Sequence, residues 1–267
     1  MIEDRRRGAR VLGVVGARGG LGASSLAAAL AHRLAGARGG ARRTALVDLD
    51  RFGSGVDVLL GIEAEPGLRW PDLRGARGEV SGDELTALLP RWSRVTVLSA
   101  DRSRPGPPDA AVVDDVLDAI VDSHDDVVLD LDRAAVRAGG DRARDGDDLR
   151  EGDGLRGRDA HGSRGDGVLG RCSALFVLAG RDLQSVAGLL AMRGATTREA
   201  DVRLVVRGPA PGGLGVLELA HVVDLPVAAS MDPQRGFAAA LERGGGPPLR
   251  RGQPLARVAE QLVAGLT

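Results

Sequence analysis

Residues 11–25 read VLGVVGARGGLGASS. An apolar run at 11–15 leads into glycines at 16, 19, 20 and 22, and then into Ser24 and Ser25. Downstream, Leu26, Leu30 and Leu34 recur at i, i+4 and i+8, which predicts a helix. A strand that empties through a glycine-rich turn into a helix presents backbone N–H groups to an anion. The first amides of a helix have no acceptor inside it, and the helix dipole favours negative charge there. The stretch therefore predicts a phosphate cradle at the carboxyl end of a strand. Where such a loop carries a lysine, this one has Ala23.

The same alternation continues along the chain. Apolar runs lie at 11–16, 44–50, 94–100, 126–132, 173–180, 202–208 and 225–230. Continuous apolar runs of this length suit strands buried on both faces. Helical patterns separate them, among them residues 109–123 and 182–196. The fold class predicted is α/β, a doubly wound and mainly parallel sheet in a three-layer sandwich. Ligands in such folds bind at the carboxyl ends of the strands, where the glycine loop lies.

Composition narrows the chemistry. The chain has 267 residues, with no Lys and no Asn, and its 36 basic residues are all Arg against 37 acids. A near-zero balance gives no basic surface, so specific nucleic-acid binding is not expected. Two Trp, three Phe and no Tyr leave the core to Val, Leu and Ala. Cys172 is the single cysteine and is read as a buried structural thiol. No run is long enough for a membrane span. The expected location is cytoplasmic, with at most peripheral membrane association.

Residues 137–167 break the rhythm. They hold nine Gly, seven Arg and eight acids, with Leu149 and Leu155 as the large apolar residues. Such a segment cannot bury enough surface to offset its ordering entropy, and is read as a disordered insertion. The domain is then 11–136 plus 168–267, preceded by a charged arm at 1–10. The four histidines, His32, His124, His161 and His221, show no metal-ligand spacing and are read as structural or solvated.

Two readings of the loop compete. GARGGLG matches G-x-x-x-G-x-G, and Asp48 or Asp50 at the end of the next strand could hold a ribose. That makes a dinucleotide-binding protein the weaker alternative. The catalysis of short-chain dehydrogenases is excluded because Tyr and Lys are absent. The other reading aligns RGGLGASS with the deviant Walker A pattern K-G-G-x-G-K-[ST]-[ST]. Gly19, Gly20, Gly22, Ser24 and Ser25 match, while Arg18 and Ala23 replace the lysines.

With ALVDLDRFGSGVDVLLG, DDVVLDLDR and LPVAASMDPQRGFAAALERGGGPP in order behind it, the chain resembles the MinD/ParA group of P-loop ATPases. More narrowly it resembles the CpaE-like septum site-determining proteins of actinobacteria. The resemblance implies ATP or ADP with Mg²⁺ as cofactor. It implies cradle residues Gly19, Gly20, Leu21, Gly22, Ala23, Ser24 and Ser25, and a base contact at Arg207, where the family places an Asn. Ser24 and Asp130 fall on the metal side. Asp50 falls where the attacking water is oriented, Asp48 supports metal or water, and Arg18 would reach the nucleotide of a facing subunit. Family members of this kind usually carry an N-terminal receiver-like domain, and about ten residues precede the first strand here.

The function implied is spatial regulation of septum-site selection or of pilus or secretion-system positioning. Its partners would be proteins of those systems or a second copy in a homodimer. The alternative is a pseudo-ATPase scaffold that binds no nucleotide. Ala23 removes a charge-assisted phosphate contact worth about 1.5–3 kcal/mol. Losing one or two such contacts weakens binding by roughly ten- to several-thousandfold. Hydrolysis is thereby in question. The C-terminal stripe Leu255, Val258, Ala259, Leu262, Val263 and Leu266 is expected to pack on the domain, because its polar face lacks the basic excess of a lipid-binding helix.

Overall fold

The structure is a computed structural model that describes residues 8–37, 42–50, 53–75, 81–104, 109–133, 136, 167–193 and 201–266. In chain order the elements are β1 (Arg10–Gly16), α1 (Ala23–Ala35), β2 (Thr44–Leu49), α2 (Val56–Leu60), α3 (Gly82–Leu88), β3 (Arg91–Trp92), β4 (Val95–Leu98), α4 (Ala110–Ser123), β5 (Asp126–Leu131), β6 (Ala174–Gly180), α5 (Leu183–Arg193), β7 (Asp201–Arg207), α6 (Val216–Val223), β8 (Val227–Met231), α7 (Phe237–Leu241) and α8 (Pro254–Ala264). Short 3-10 turns occupy Trp70–Leu73 and Leu169–Arg171.

The strands form one sheet in the order β3-β4-β2-β5-β1-β6-β7-β8. All neighbours are parallel except β3 against β4. The chain steps outward from β1 to β2 on one side and returns to β6 on the other. β1 therefore sits at the switch point, bonded to both β5 and β6. Its residues Val11, Leu12, Val14 and Val15 are buried, as two-sided burial of a central strand requires.

α1 is buried nearly all round: Leu26, Ala27, Ala28, Leu30, Ala31 and Leu34 are fully enclosed. A helix apolar on every side needs cover on every side. The sheet supplies one face, and α8 packs on the other through Leu255, Val258, Ala259 and Leu262. The C-terminal stripe is thus seated on the domain, as its sequence leads one to expect.

Several local features differ from the sequence reading. The run at 94–100 proves to be the second arm of a hairpin, β3–β4, joined through Ser93 at φ 56°. Two-residue β3 is too short to show a period. β4 stops at Leu98, because Ser99 turns its groups to other partners. Its hydroxyl accepts from the Asp57 amide at 3.1 Å and its carbonyl from the Trp70 amide at 3.1 Å. The last strand begins at Val227, one residue past Pro226, which has no N–H to donate. The insertion expected at 137–167 lies outside the described residues apart from Gly167, as do residues 1–7 of the arm, His161, and the end of the helix predicted at 182–196.

The glycine loop is also held from the side. A Cβ on Gly188 of α5 would stand 2.0 Å from the carbonyl oxygen of Ala17. Ala17 continues the β1–β6 pairing through its amide, 2.9 Å from the Leu178 oxygen. Gly188→Ala must therefore push α5 off the start of the loop. Overpacking of this kind should lower Tm by roughly 3–10 °C in a thermal melt. Gly212→Ala, with open space around it, should not. Equal melting temperatures for the two variants would contradict this packing.

Candidate functional site

The loop leaves β1 at Gly16 and enters α1 at Ala23. Gly20 and Gly22 turn at φ 74° and 92°, in the left-handed region that side chains resist. Gly22 is the N-cap of α1, and its carbonyl accepts the Leu26 amide at 3.0 Å. The amides of residues 23–25 precede that first bond, so the helix offers them no acceptor. Space around Gly19 and Gly20 is open to 4 Å. The loop faces a cleft of about 540 Å³, walled by residues 18–25, Asp50, Leu59 and 130–133.

The carboxylates divide into two roles. Asp48 on β2 and Asp130 on β5 are register partners across the sheet, and both are buried. Asp48 does not line the cleft. Its carboxylate accepts the amides of Val56 at 2.9 Å, Asp50 at 3.0 Å and Ala100 at 3.4 Å. It thereby pins three loop segments at the carboxyl edge, and Trp70 Nε1 donates to its carbonyl at 2.6 Å. Burial pushes its pKa up to about 6 against the pull of those amides. Asp130 does line the cleft, beside Ser24, which donates a hydrogen bond to it. Burial, followed by the Asp48 charge, pushes Asp130 up to about 8. Asp50 reaches the cleft from the end of β2.

The two arginines singled out by sequence are both engaged within the chain. Arg18 grips Asp182, with Nη2 at 2.9 Å and Nε at 3.3 Å. The guanidinium holds the Asp182 carboxyl well below the usual range, at about 2. Asp182 also accepts the Ser185 amide at 2.8 Å, which caps α5. Arg207, at the end of β7, donates from Nη1 to the carbonyl of Leu21 inside the loop. The cavity that it lines with Leu21, Gly22, Met231, Gln234 and Phe237 holds about 20 Å³, room for a water molecule.

Sequence reasoning missed Asp182. The D-x-x-S spacing of Asp182 and Ser185 signals a helix start, but nothing local signals a partner 164 residues away. It also missed Leu59, Asp132 and Arg133, which complete the cleft wall.

The residues suit the phosphate part of a nucleotide: open glycines, unpaired helix-start amides and a hydroxyl at the mouth. They supply no lysine at position 23, and of the two arginines in the cleft wall, Arg18 and Arg133, the first is held by Asp182. Among the described residues no group of three or more His, Cys, Asp or Glu is arranged to hold a metal. A divalent ion at Ser24 and Asp130 would complete its shell from phosphate oxygens and water.

The fold, an α/β sandwich with the glycine loop at the carboxyl end of its central strand, is similar to that of solved MinD and ParA proteins. The chain is similar to the ParA family ATPase from Chlorobium tepidum TLS, with TM-score 0.72, 16% identity and coverage of 96% of this chain and 98% of that one. It is similar to the MinD cell division protein of Aquifex aeolicus, with TM-score 0.66, 15% identity and coverage of 97% of each chain. A third is the septum site-determining protein MinD of Pyrococcus horikoshii OT3, complexed with Mg-ADP, with TM-score 0.63, 13% identity and coverage of 97% and 96%. At these identities the likeness shows the fold.

Closer in sequence are two curated proteins of Mycobacterium tuberculosis, the uncharacterized protein Rv3660c of strain H37Rv and the uncharacterized protein MT3760 of strain CDC 1551 / Oshkosh. Each is 37% identical over 257 residues, which is 96% of this chain. The chain spans 63% of their length. No protein-family model matches the chain.

The raised Asp130 fixes the sign of a pH effect. Its folded pKa of about 8 lies above the ordinary 3.8, so the native state holds a proton that the unfolded chain releases. Stability from this group is complete at low pH and is lost as pH rises toward and through 8. Asp101 and Asp182, at about 2, titrate well below that window. Asp130→Asn keeps the shape without the charge. Its melting temperature should therefore gain on the parent's between pH 6.5 and 8.5. A gap that stays constant over that range would contradict the shift.

Proposed function

We propose that this chain is a MinD/ParA-like spatial regulator, acting in septum-site selection or in pilus or secretion-system positioning, with a degenerate nucleotide switch. The observation that carries this reading is the open cradle itself. Gly20 and Gly22 keep their left-handed turns, Gly19 and Gly20 face open space, and Ser24 stands against Asp130 at the mouth of a 540 Å³ cleft. Backbone amides would hold the phosphates of ATP or ADP, and Ser24 and Asp130 would hold Mg²⁺. A bound Mg²⁺ would supply charge neutralisation between phosphates that Ala23 does not. The mouth faces outward at the carboxyl edge of the sheet, where a second copy or a partner could complete it.

Hydrolysis is not part of this reading. The loop offers no cation where charge would develop in phosphoryl transfer. Arg18 could act across a dimer only after leaving Asp182, a bidentate charged contact.

A second reading is a pseudo-ATPase scaffold. It is favoured by one observation: the Arg207 bond to the Leu21 carbonyl ties the loop to β7 through the chain's own groups.

Ala23→Lys separates the two. If the cradle is intact, the ammonium restores a phosphate contact. Affinity for a fluorescent ATP analogue should then rise at least tenfold, about 1.4 kcal/mol. The gain should require Mg²⁺, and adding Ser24→Ala should remove most of it. A folded Ala23→Lys that binds no better than the parent favours the scaffold.

A further inference from the structure

The glycine loop separates two cavities, and Leu21, Gly22 and Ser25 line both. On the side of β2 and β5 lies the 540 Å³ cleft with its carboxylates. On the side of β7 and β8 lies the pocket of about 20 Å³. The two differ in chemistry. Met231, Phe237 and Leu255 wall the small pocket together with Leu21, and Gln234 and Asp232 stand beside them. Apolar walls for a flat ring, with a few polar groups at its edge, are what a nucleobase needs. The cleft has no such slot. Among the described residues of its wall none is aromatic and none carries an amide side chain. A base lying there would keep its edges in water, where hydrogen bonds discriminate little.

The small pocket is shut by the chain's own side chains. Arg207 donates from Nη1 to the Leu21 carbonyl. The same nitrogen lies 3.2 Å from where a Cβ on Gly22 would stand, so the guanidinium rests against the loop itself. Gln234 is spent as well. Its Nε2 donates to the Pro248 carbonyl at 3.3 Å, and its Oε1 accepts the Leu255 amide at 3.3 Å. What remains has room for a water molecule and not for a purine or a pyrimidine.

We propose that Arg207 determines the specificity of the loop: by filling the apolar slot beside it, this side chain makes the site read a triphosphate chain and not the base attached to that chain. The inference rests on the reading of the loop as a phosphate cradle. The ligand class is then a triphosphate, whatever nucleoside carries it. The nucleoside projects into the open cleft and adds no affinity of its own.

The test uses the full chain with Mg²⁺ at constant ionic strength, titrated with ATP, GTP and methyl triphosphate. Methyl triphosphate has the same phosphate chain with a methyl group in place of the nucleoside. Calorimetry gives the affinities, and the amide ¹H–¹⁵N signals of Gly20 and Gly22 locate each ligand at the loop. In the parent the three dissociation constants should agree within about fivefold. Arg207→Ala empties the slot, and ATP should then bind at least fivefold more tightly than methyl triphosphate, the size of a modest base stack. Loss of the bond to Leu21 would shift both ligands alike, so their ratio isolates the base. A parent that prefers ATP or GTP over methyl triphosphate by more than about fivefold overturns the assignment to Arg207 and leaves the cradle standing. An Arg207→Ala variant that keeps the parent's ratio does the same. A parent whose loop signals respond to none of the three ligands sinks the cradle, and this inference with it.

Discussion

Gly22 turns the chain at φ 92° between the central strand and the most enclosed helix of the domain. The rest of the site depends on that turn. It aims the start of α1 outward from the switch point of the sheet, and it leaves the amides of residues 23–25 without acceptors inside the helix. Around it the chain builds braces rather than charges. Gly188 brings α5 against Ala17, Arg207 bonds the Leu21 carbonyl, and Arg18 is held by Asp182. A loop braced from three sides keeps its shape without the lysine that would otherwise sit among the phosphates.

The electrostatics of the cleft follow from burial more than from residue counts. Sequence places three carboxylates, Asp48, Asp50 and Asp130, near a loop whose one cation is Arg18. In the fold Asp48 is consumed by three backbone amides and acts as a structural pin. Asp130, pushed up to about 8, is mostly protonated at neutral pH. The cleft then carries less negative charge than the sequence suggests, which favours the approach of an anion. The same burial means that a cation at Asp130 must displace a proton, so metal and pH are linked at this position.

Much of the fold was legible in the sequence because the signals were local. Apolar runs gave the seven long strands, the 3.6-residue period gave α1 and α4, and the apolar stripe of α8 matched its burial against α1. Short elements escaped, since β3, α2 and α7 are too brief to show a period. At the site, the glycine turns were readable from spacing, while the part given to Ser24 came with the resemblance to the Walker A pattern. The Arg18–Asp182 and Arg207–Leu21 contacts were not, because they join residues 164 and 186 positions apart. His124 was read as structural or solvated. Its Nδ1 bond to Ile120 agrees, while its unpartnered Nε2 depended on tertiary packing that no periodicity encodes.

The central claim is that the backbone of the loop can hold phosphate without a lysine. Amide hydrogen exchange of the unmodified chain tests it most directly, with and without millimolar ATP and Mg²⁺. The account predicts slower exchange at residues 19–25. The α4 amides, in a helix packed against α3 and β5, should be unchanged. Exchange at 19–25 that is the same with and without nucleotide, at concentrations up to the solubility of the complex, would contradict it.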